Sequence, residues 1–189
     1  MASKDIKYKI EEGFISVLKK KSFAKCKVTE IVKTSGISHQ TFYRYYIDKY
    51  DLALKLSTEK FSFFTLIYGN NAKWKDIVIT MLHSVQNSPI FYKRLLEDIE
   101  GADLVLQSIL KTSELFTGGK ASVPGIAGWI ETFKIWSQNE FKDSVDDIYI
   151  KIRNNTALSD VLPDEEIEKI MSVYETRRLD FFRNKVNKE

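Results

Sequence analysis

Four consecutive polar side chains, Ser38 to Thr41, carry hydrogen-bonding groups where a helix that only packs would carry aliphatic ones. They follow Gly36, and the chain on both sides has the apolar spacing of helices. Gly36 can adopt the positive φ of a tight turn, and Ser38 suits the cap of the next helix. The pattern predicts two short helices around a turn, the second presenting hydroxyls, an amide and an imidazole to another molecule.

Those side chains have the chemistry needed to read DNA. The major groove admits a helix, and each base pair shows its own donor and acceptor pattern there. Gln40 can form two hydrogen bonds with adenine, and the Thr41 methyl group can meet the thymine methyl group. Tyr43, Tyr45 and Lys49 have the reach and the groups to contact phosphates, which fix register and supply affinity. Helix pairs with a glycine turn also occur in proteins without DNA affinity, so the segment alone leaves both interpretations open.

Positive charge is concentrated in the same part of the chain. Residues 1–55 contain twelve Lys and Arg against six Asp and Glu, whereas the remainder carries a small negative balance. A basic N-terminal region on a mildly acidic remainder indicates a polyanionic partner, although small basic surfaces also arise without one.

Periodic apolar residues predict an all-α fold of about nine to ten helices and no strand. The expected helices span residues 3–20, 29–35, 38–45, 48–69, 74–86, 88–101, 104–116, 123–138, 143–153 and 163–185. Gly101 is expected to end one of them, and Pro163 to begin the last.

The segment VTEIVKTSGISHQTFYRYYIDKYDL, residues 28–52, resembles the DNA-binding region of TetR-type (tetracycline-repressor-like) transcriptional regulators. This resemblance implies a helix–turn–helix DNA-binding domain at 1–47, termed the head below. It implies an effector-binding and dimerisation domain at 48–189, termed the body. The implied function is a homodimeric regulator, a repressor rather than an activator, that binds a palindromic operator and responds to a small molecule. The alternative is a helical protein of this fold that acts through a protein partner.

The resemblance also implies roles for individual residues. His39, Gln40 and Thr41 occupy base-facing positions, and Gln40 stands where many members have glycine. Phe42 and Tyr46 are expected to pack inward. The full set expected to contact DNA is Thr29, Ser38, His39, Gln40, Thr41, Tyr43, Tyr45 and Lys49.

In the body, the resemblance implies a dimer interface on the helix at 123–138 and an effector pocket between residues 61 and 116. The expected interface anchors are Trp129, Phe133 and Trp136, with burial inside the subunit as the alternative. Aromatic and methionine side chains at helical spacing are often plain core, so the pocket residues have that alternative as well. The expected lining is Phe64, Tyr68, Trp74, Met81, His83, Phe91, Tyr92 and Phe116.

Other functional classes lack support in the residues. There is no glycine-rich phosphate loop, no zinc-protease motif and no cysteine pair, so we predict no catalytic residue, metal or cofactor. The single cysteine, Cys26, fits a reducing cytoplasm, where we expect the protein to reside. No apolar run reaches the length of a membrane span, and the N-terminus lacks the apolar stretch of a signal peptide.

Overall fold

The computed structural model describes residues 3–63, 74–117 and 123–154, and all regular structure within them is helical. The predicted all-α fold is therefore confirmed. The helix expected at 163–185 and the expected extension of the fourth helix beyond residue 63 lie outside the described residues. The helices are α1 (Ser3–Leu18), α2 (Val28–Ser35), α3 (His39–Tyr43), α4 (Lys49–Phe61), α5 (Trp74–Gln86), α6 (Pro89–Leu96), α7 (Ile99–Thr117), α8 (Val123–Gln138) and α9 (Val145–Asn154).

The head is built on α1, which packs along α2. Phe14, Leu18, Phe23 and Ile31 are fully buried, and the rings of Phe14 and Phe23 meet edge to face. Gly36 ends α2 with a φ of 65°, a conformation that costs glycine little and other residues more. The turn predicted from this glycine is confirmed, and it directs α3 away from α2.

The fourth helix, α4, connects the head to the body interior. The Asp48 carboxylate caps it by accepting a hydrogen bond from the Asp51 amide at 2.8 Å. Farther along, α4 packs on α7, where the buried hydroxyl groups of Ser57 and Ser108 lie 2.7 Å apart. Helix α3 is therefore followed directly by a helix anchored in the body.

The boundary predicted at Gly101 is wrong. Helix α6 ends at Leu96, α7 begins at Ile99, and Gly101 lies inside the first turn of α7. The Asp98 carboxylate accepts a hydrogen bond from the Gly101 amide at 2.7 Å. A Cβ at residue 101 would lie 2.3 Å from the Leu95 carbonyl oxygen, so glycine is required by close helix approach.

The three aromatic residues expected at a dimer interface are buried inside the single chain, so that prediction is wrong for them. Trp136 and Phe133 are 0% and 1% exposed and Trp129 is 6% exposed. The Trp136 indole also donates a hydrogen bond to the Asp143 carbonyl oxygen at 3.1 Å. Side chains that are already buried have no surface left for a partner.

The solvent-facing side of α8 carries Ala127, Gly128, Glu131 and Ile135. Ile135 is 57% exposed, and a Cβ at Gly128 would meet no atom within 4 Å. This side of α8 therefore combines small residues with one exposed aliphatic side chain. No helix within the described ranges has the length and apolar character needed to cross a bilayer.

Candidate nucleic-acid interface

A cap at Ser38 holds the short helix α3 in place. The Ser38 hydroxyl oxygen accepts a hydrogen bond from the Thr41 amide at 3.0 Å, and the two hydroxyl groups lie 2.8 Å apart. This cap satisfies a backbone donor that the first helical turn leaves free. Because the Thr41 hydroxyl is engaged in the cap, its methyl group is the part left for contact with another molecule.

Helix α3 presents a continuous polar surface to solvent. His39, Gln40, Tyr43 and Arg44 are all exposed, and the rings of His39 and Tyr43 stack at a centroid distance of 6.4 Å. On the opposite side, Phe42 is fully buried, which confirms its expected inward packing. Tyr46 is buried as well, as expected. One side of α3 is thus anchored in the core while the other is free to enter a groove.

The chain segment that contains α3 is basic. Between residues 25 and 47 the chain has four exposed cationic side chains and a single carboxylate, Glu30. Lys21 forms an ion pair with Glu30. The hydrogen bond from the Lys21 ammonium group to the Glu30 carboxylate holds the pKa of this carboxyl group below its usual value. The Glu30 carboxylate is therefore paired with a cation. The exposed cations are Lys25, Lys27, Lys33 and Arg44.

Arg44 was not among the residues expected to contact DNA. It lies exposed directly after α3, where its guanidinium group extends the polar surface. An exposed cation at the end of a recognition helix suits a phosphate contact, so its position in the sequence was the signal that could have identified it.

Thr29 and Tyr45, two residues expected to contact phosphates, differ in their exposure. Thr29 is exposed in the first turn of α2. Tyr45 is half-buried and packs against the hydrophobic core. The structure therefore places the Thr29 hydroxyl on the surface, whereas much of the Tyr45 side chain already serves packing.

Lys49 is held within the head. Its ammonium group donates hydrogen bonds to the carbonyl oxygens of Phe23 at 3.0 Å and Ala24 at 2.9 Å. The same nitrogen lies 4.8 Å and 5.0 Å from the ring centroids of Phe23 and Tyr50. Lys49 thus ties the start of α4 to the α1–α2 loop, a structural role that its position in the sequence did not indicate.

The residues expected to line an effector pocket divide by exposure. Met81, Phe91 and Tyr92 are buried in the body, whereas His83 is exposed. His83 lies on the solvent-facing side of α5, and its role in a pocket stays a prediction. Three other expected residues lie outside what the structure describes: Phe64, Tyr68 and the side chain of Phe116. The side chain of Trp74 is not described either.

A buried polar group accompanies these aromatic residues. Tyr92 is 0% exposed, and its ring stacks on Phe61 of α4 at a centroid distance of 5.4 Å. Its hydroxyl group has no well-formed hydrogen bond among the described residues, and Ser57 is its polar neighbour. Burial raises the pKa of the Tyr92 phenol, with the Ser57 contact opposing that rise.

A separate open cleft of about 320 Å³ lies where α1, α4 and α5 meet. Its residues are Glu11, Leu56, Glu59, Lys60, Phe63, Ser84, Asn87 and Ser88, and none of the expected effector-pocket residues is among them. Burial, and secondarily the Glu59 carboxylate, raise the pKa of Glu11 in this cleft.

Comparison with known proteins gives structural matches only. No protein-family profile and no curated protein sequence matches the chain. The transcriptional regulator FadR from Bacillus subtilis, solved in complex with stearoyl-CoA, is similar at 18% identity and a TM-score of 0.52 over 79% of this chain and 97% of that chain. A TetR transcriptional regulator from Rhodococcus sp. RHA1 is similar at 15% identity and a TM-score of 0.50 over 84% and 97%.

Proposed function

The chain has the fold of TetR-type transcriptional regulators, and from that premise we propose that it is a homodimeric repressor that binds a palindromic DNA operator. The observation that carries this proposal is the surface of α3. It is a polar row on a helix anchored by Phe42 and capped by Ser38, in a segment with four exposed cations. Two such helices, about one helical turn of DNA apart, suit successive major grooves.

We assign each residue that is expected to contact DNA a role from its position. His39 and Gln40 read base edges, and the Thr41 methyl group contacts thymine. Ser38 holds the start of α3 at the DNA, while Thr29, Tyr43 and Tyr45 contact phosphates. Arg44 joins this phosphate set, and Lys49 supports it by fixing the loop after α1. In this proposal the head at 1–47 binds DNA, and the body at 48–189 regulates that binding.

The dimer forms through the exposed side of α8, which pairs with the same side of a second chain. Small residues at Ala127 and Gly128 allow close helix approach, and Ile135 supplies exposed apolar area. An Ile135→Arg variant is expected to shift sedimentation to the monomer, and Ile99→Arg serves as control because Ile99 is also exposed but on α7. Equal sedimentation of the Ile135→Arg variant and wild type would contradict this interface.

An effector bound in the body near Phe91 and Tyr92 releases the protein from its operator in the cytoplasm. Ligand binding changes the operator affinity only through its different affinities for the two states of the protein. Because the similar FadR was solved with stearoyl-CoA, a long-chain acyl-CoA is the first probe to titrate. Release from DNA by this probe, but not by free CoA, would support an acyl-binding body.

Selection from a random duplex pool tests DNA binding without requiring that the operator sequence be chosen in advance. The wild-type protein is expected to enrich a palindrome, with affinity that falls steeply as salt rises. Gln40→Ala is expected to lose about 1–3 kcal/mol of discrimination at one base position in each half-site. Tyr43→Ala should weaken binding to all sequences, whereas Phe63→Ala, which removes another exposed aromatic, should not. Failure to enrich any duplex would reject this function and favour a protein partner.

A further inference from the structure

Arg94 of α6 forms a bridge between the body and the last residue of α1. Its Nε atom donates a hydrogen bond to the Leu18 carbonyl oxygen at 3.0 Å. Its Nη1 atom donates to both carboxylate oxygens of Glu97, at 2.9 and 3.1 Å. The carbonyl groups in the last turn of a helix lack intrahelical partners, and a cation also suits that end of the helix dipole. The guanidinium group therefore satisfies a head carbonyl while Glu97 holds its plane in place.

An apolar contact lies beside this bridge on the same two helices. Phe91 precedes Arg94 by one helical turn, and Phe14 precedes Leu18 by one turn. The rings of Phe14 and Phe91 meet edge to face, with centroids 6.1 Å apart and planes at 78°. Ring packing restrains the distance between α1 and α6. The planar guanidinium group adds a directional restraint on their relative rotation, because its hydrogen bonds point along fixed vectors.

The residue after Phe91 on α6 faces the body interior. Tyr92 stacks on Phe61 of α4, and the ring centroids of Tyr92 and Phe91 lie 4.9 Å apart. One short helix thus contacts the proposed effector region through Tyr92 and the end of α1 through Arg94. Other contacts come from α4: the exposed Tyr50 hydroxyl lies 2.8 Å from the Glu100 carboxylate, and Lys49 binds the Phe23 carbonyl oxygen of the head. The Arg94 bridge is partly buried and connects α6 directly to α1.

We propose that Arg94, oriented by Glu97, is a positioning residue that sets the angle of the head on the body. In the dimer this angle determines the separation of the two α3 helices, and therefore the half-site spacing that the protein accepts. A shift of α6 at Tyr92 reaches α1 through the same guanidinium group. This inference rests on the proposed function, since it describes how the operator-binding head is held.

Half-site spacing provides the test, because a general loss of stability would not change the protein's preference among spacings. The selected operator is compared with versions carrying one inserted or one deleted base pair. Wild type is expected to lose at least about tenfold in affinity on either change, which corresponds to about 1.4 kcal/mol. Arg94→Met should lose no more than about threefold, because the head can rotate to fit the altered spacing. A spacing penalty in Arg94→Met equal to that of wild type would overturn the proposal.

Two further variants separate the bridge from simple charge. Lys93→Met is the matched control, because Lys93 precedes Arg94 on α6, is similarly exposed and pairs with Glu140 of the body. It should keep the wild-type spacing penalty. Arg94→Lys retains the charge, but its single nitrogen replaces the two nitrogens, Nε and Nη1, that bind Leu18 and Glu97 in one plane, so an intermediate penalty is expected. If Arg94→Met folds poorly, the spacing penalty of Arg94→Lys tests whether Arg94 positions the head.

Hydrogen exchange provides a readout that does not involve DNA. In Arg94→Met, the amides of Lys19 and Lys20 directly after α1 should exchange faster, whereas buried amides of α7 keep their wild-type rates. If wild type enriches no duplex, the proposed function fails, and this exchange pattern still decides whether Arg94 restrains α1. Wild-type exchange rates at Lys19 and Lys20 in the variant would reject the bridge itself.

Discussion

The Lys49 ammonium nitrogen lies 3.0 Å from the carbonyl oxygen of Phe23 and 4.8 Å from the centre of its ring. A single cation thus satisfies the backbone and covers the aromatic face of one residue, which belongs to the loop that follows α1. Because Lys49 is the first residue of α4, this contact ties the beginning of that helix to the head.

Lys49→Met should therefore lower the free energy of unfolding by about 1–2 kcal/mol, through loss of charge-assisted hydrogen bonds and of the cation–π contact. Urea denaturation measures the change. The control is Lys33→Met, which removes an exposed lysine of α2 and should alter stability by less than about 0.5 kcal/mol. Equal stability of the two variants would show that the Lys49 contacts contribute nothing to folding.

Gly36→Ala should destabilise the head by about 1–2 kcal/mol, because a Cβ is disfavoured at positive φ. The surroundings are open, with no atom within 4 Å of the added Cβ, so the cost is conformational and not steric. Gly36→Asn is the matched comparison and should cost less, since asparagine tolerates this conformation. Thermal unfolding of the two variants checks the order, and a more stable alanine variant would contradict it.

The hydroxyl pair of Ser57 and Ser108 connects α4 to α7 in a buried setting. Ser57→Ala and Ser108→Ala should each cost about 1 kcal/mol, because each removes a buried hydrogen bond. The double variant should cost less than the sum of the two, and a double-mutant cycle by chemical denaturation measures the difference. Strict additivity would mean that the two hydroxyl groups do not interact.

Arg44→Met should reduce the slope of log affinity against log salt by about 0.9, as expected for the loss of one phosphate contact. The measurement is fluorescence anisotropy of the selected operator over a range of salt concentrations. Lys111→Met removes an exposed cation from α7 and should leave the slope unchanged. An unchanged slope for Arg44→Met would place Arg44 away from the DNA backbone.

Burial raises the pKa of the Cys26 thiol from 9.0 to about 11, so the thiol keeps its proton in the folded protein. Between pH 9 and 11 the unfolded chain would lose this proton while the folded chain retains it, so stability should fall with rising pH in that window. Burial also raises the pKa of Tyr46 and Tyr92, so the Cys26 contribution is the difference between wild type and Cys26→Ala. Parallel pH profiles of the two proteins would contradict the prediction. Slow alkylation of native protein at pH 8 is a second expected consequence.

The predictions from sequence succeeded where the physical cause was local. The Gly36 turn, the Ser38 cap and the inward packing of Phe42 depend on residues within one or two helical turns. The boundary predicted at Gly101 failed because the packing of α6 against α7 decided the outcome there, and the Leu95 backbone leaves no room for a side chain at residue 101.

By itself, the sequence determined an all-helical fold and a short polar helix in a basic segment, because helix periodicity, capping and charge are properties of nearby residues. Only the tertiary structure decided which side chains still have surface to offer. Trp136 is enclosed by its own subunit, whereas Ile135 beside it is exposed. Arg94 likewise meets Leu18 across a separation of 76 residues. Such contacts depend on how helices far apart in the chain pack together, and the spacing of residues along one helix does not specify that packing.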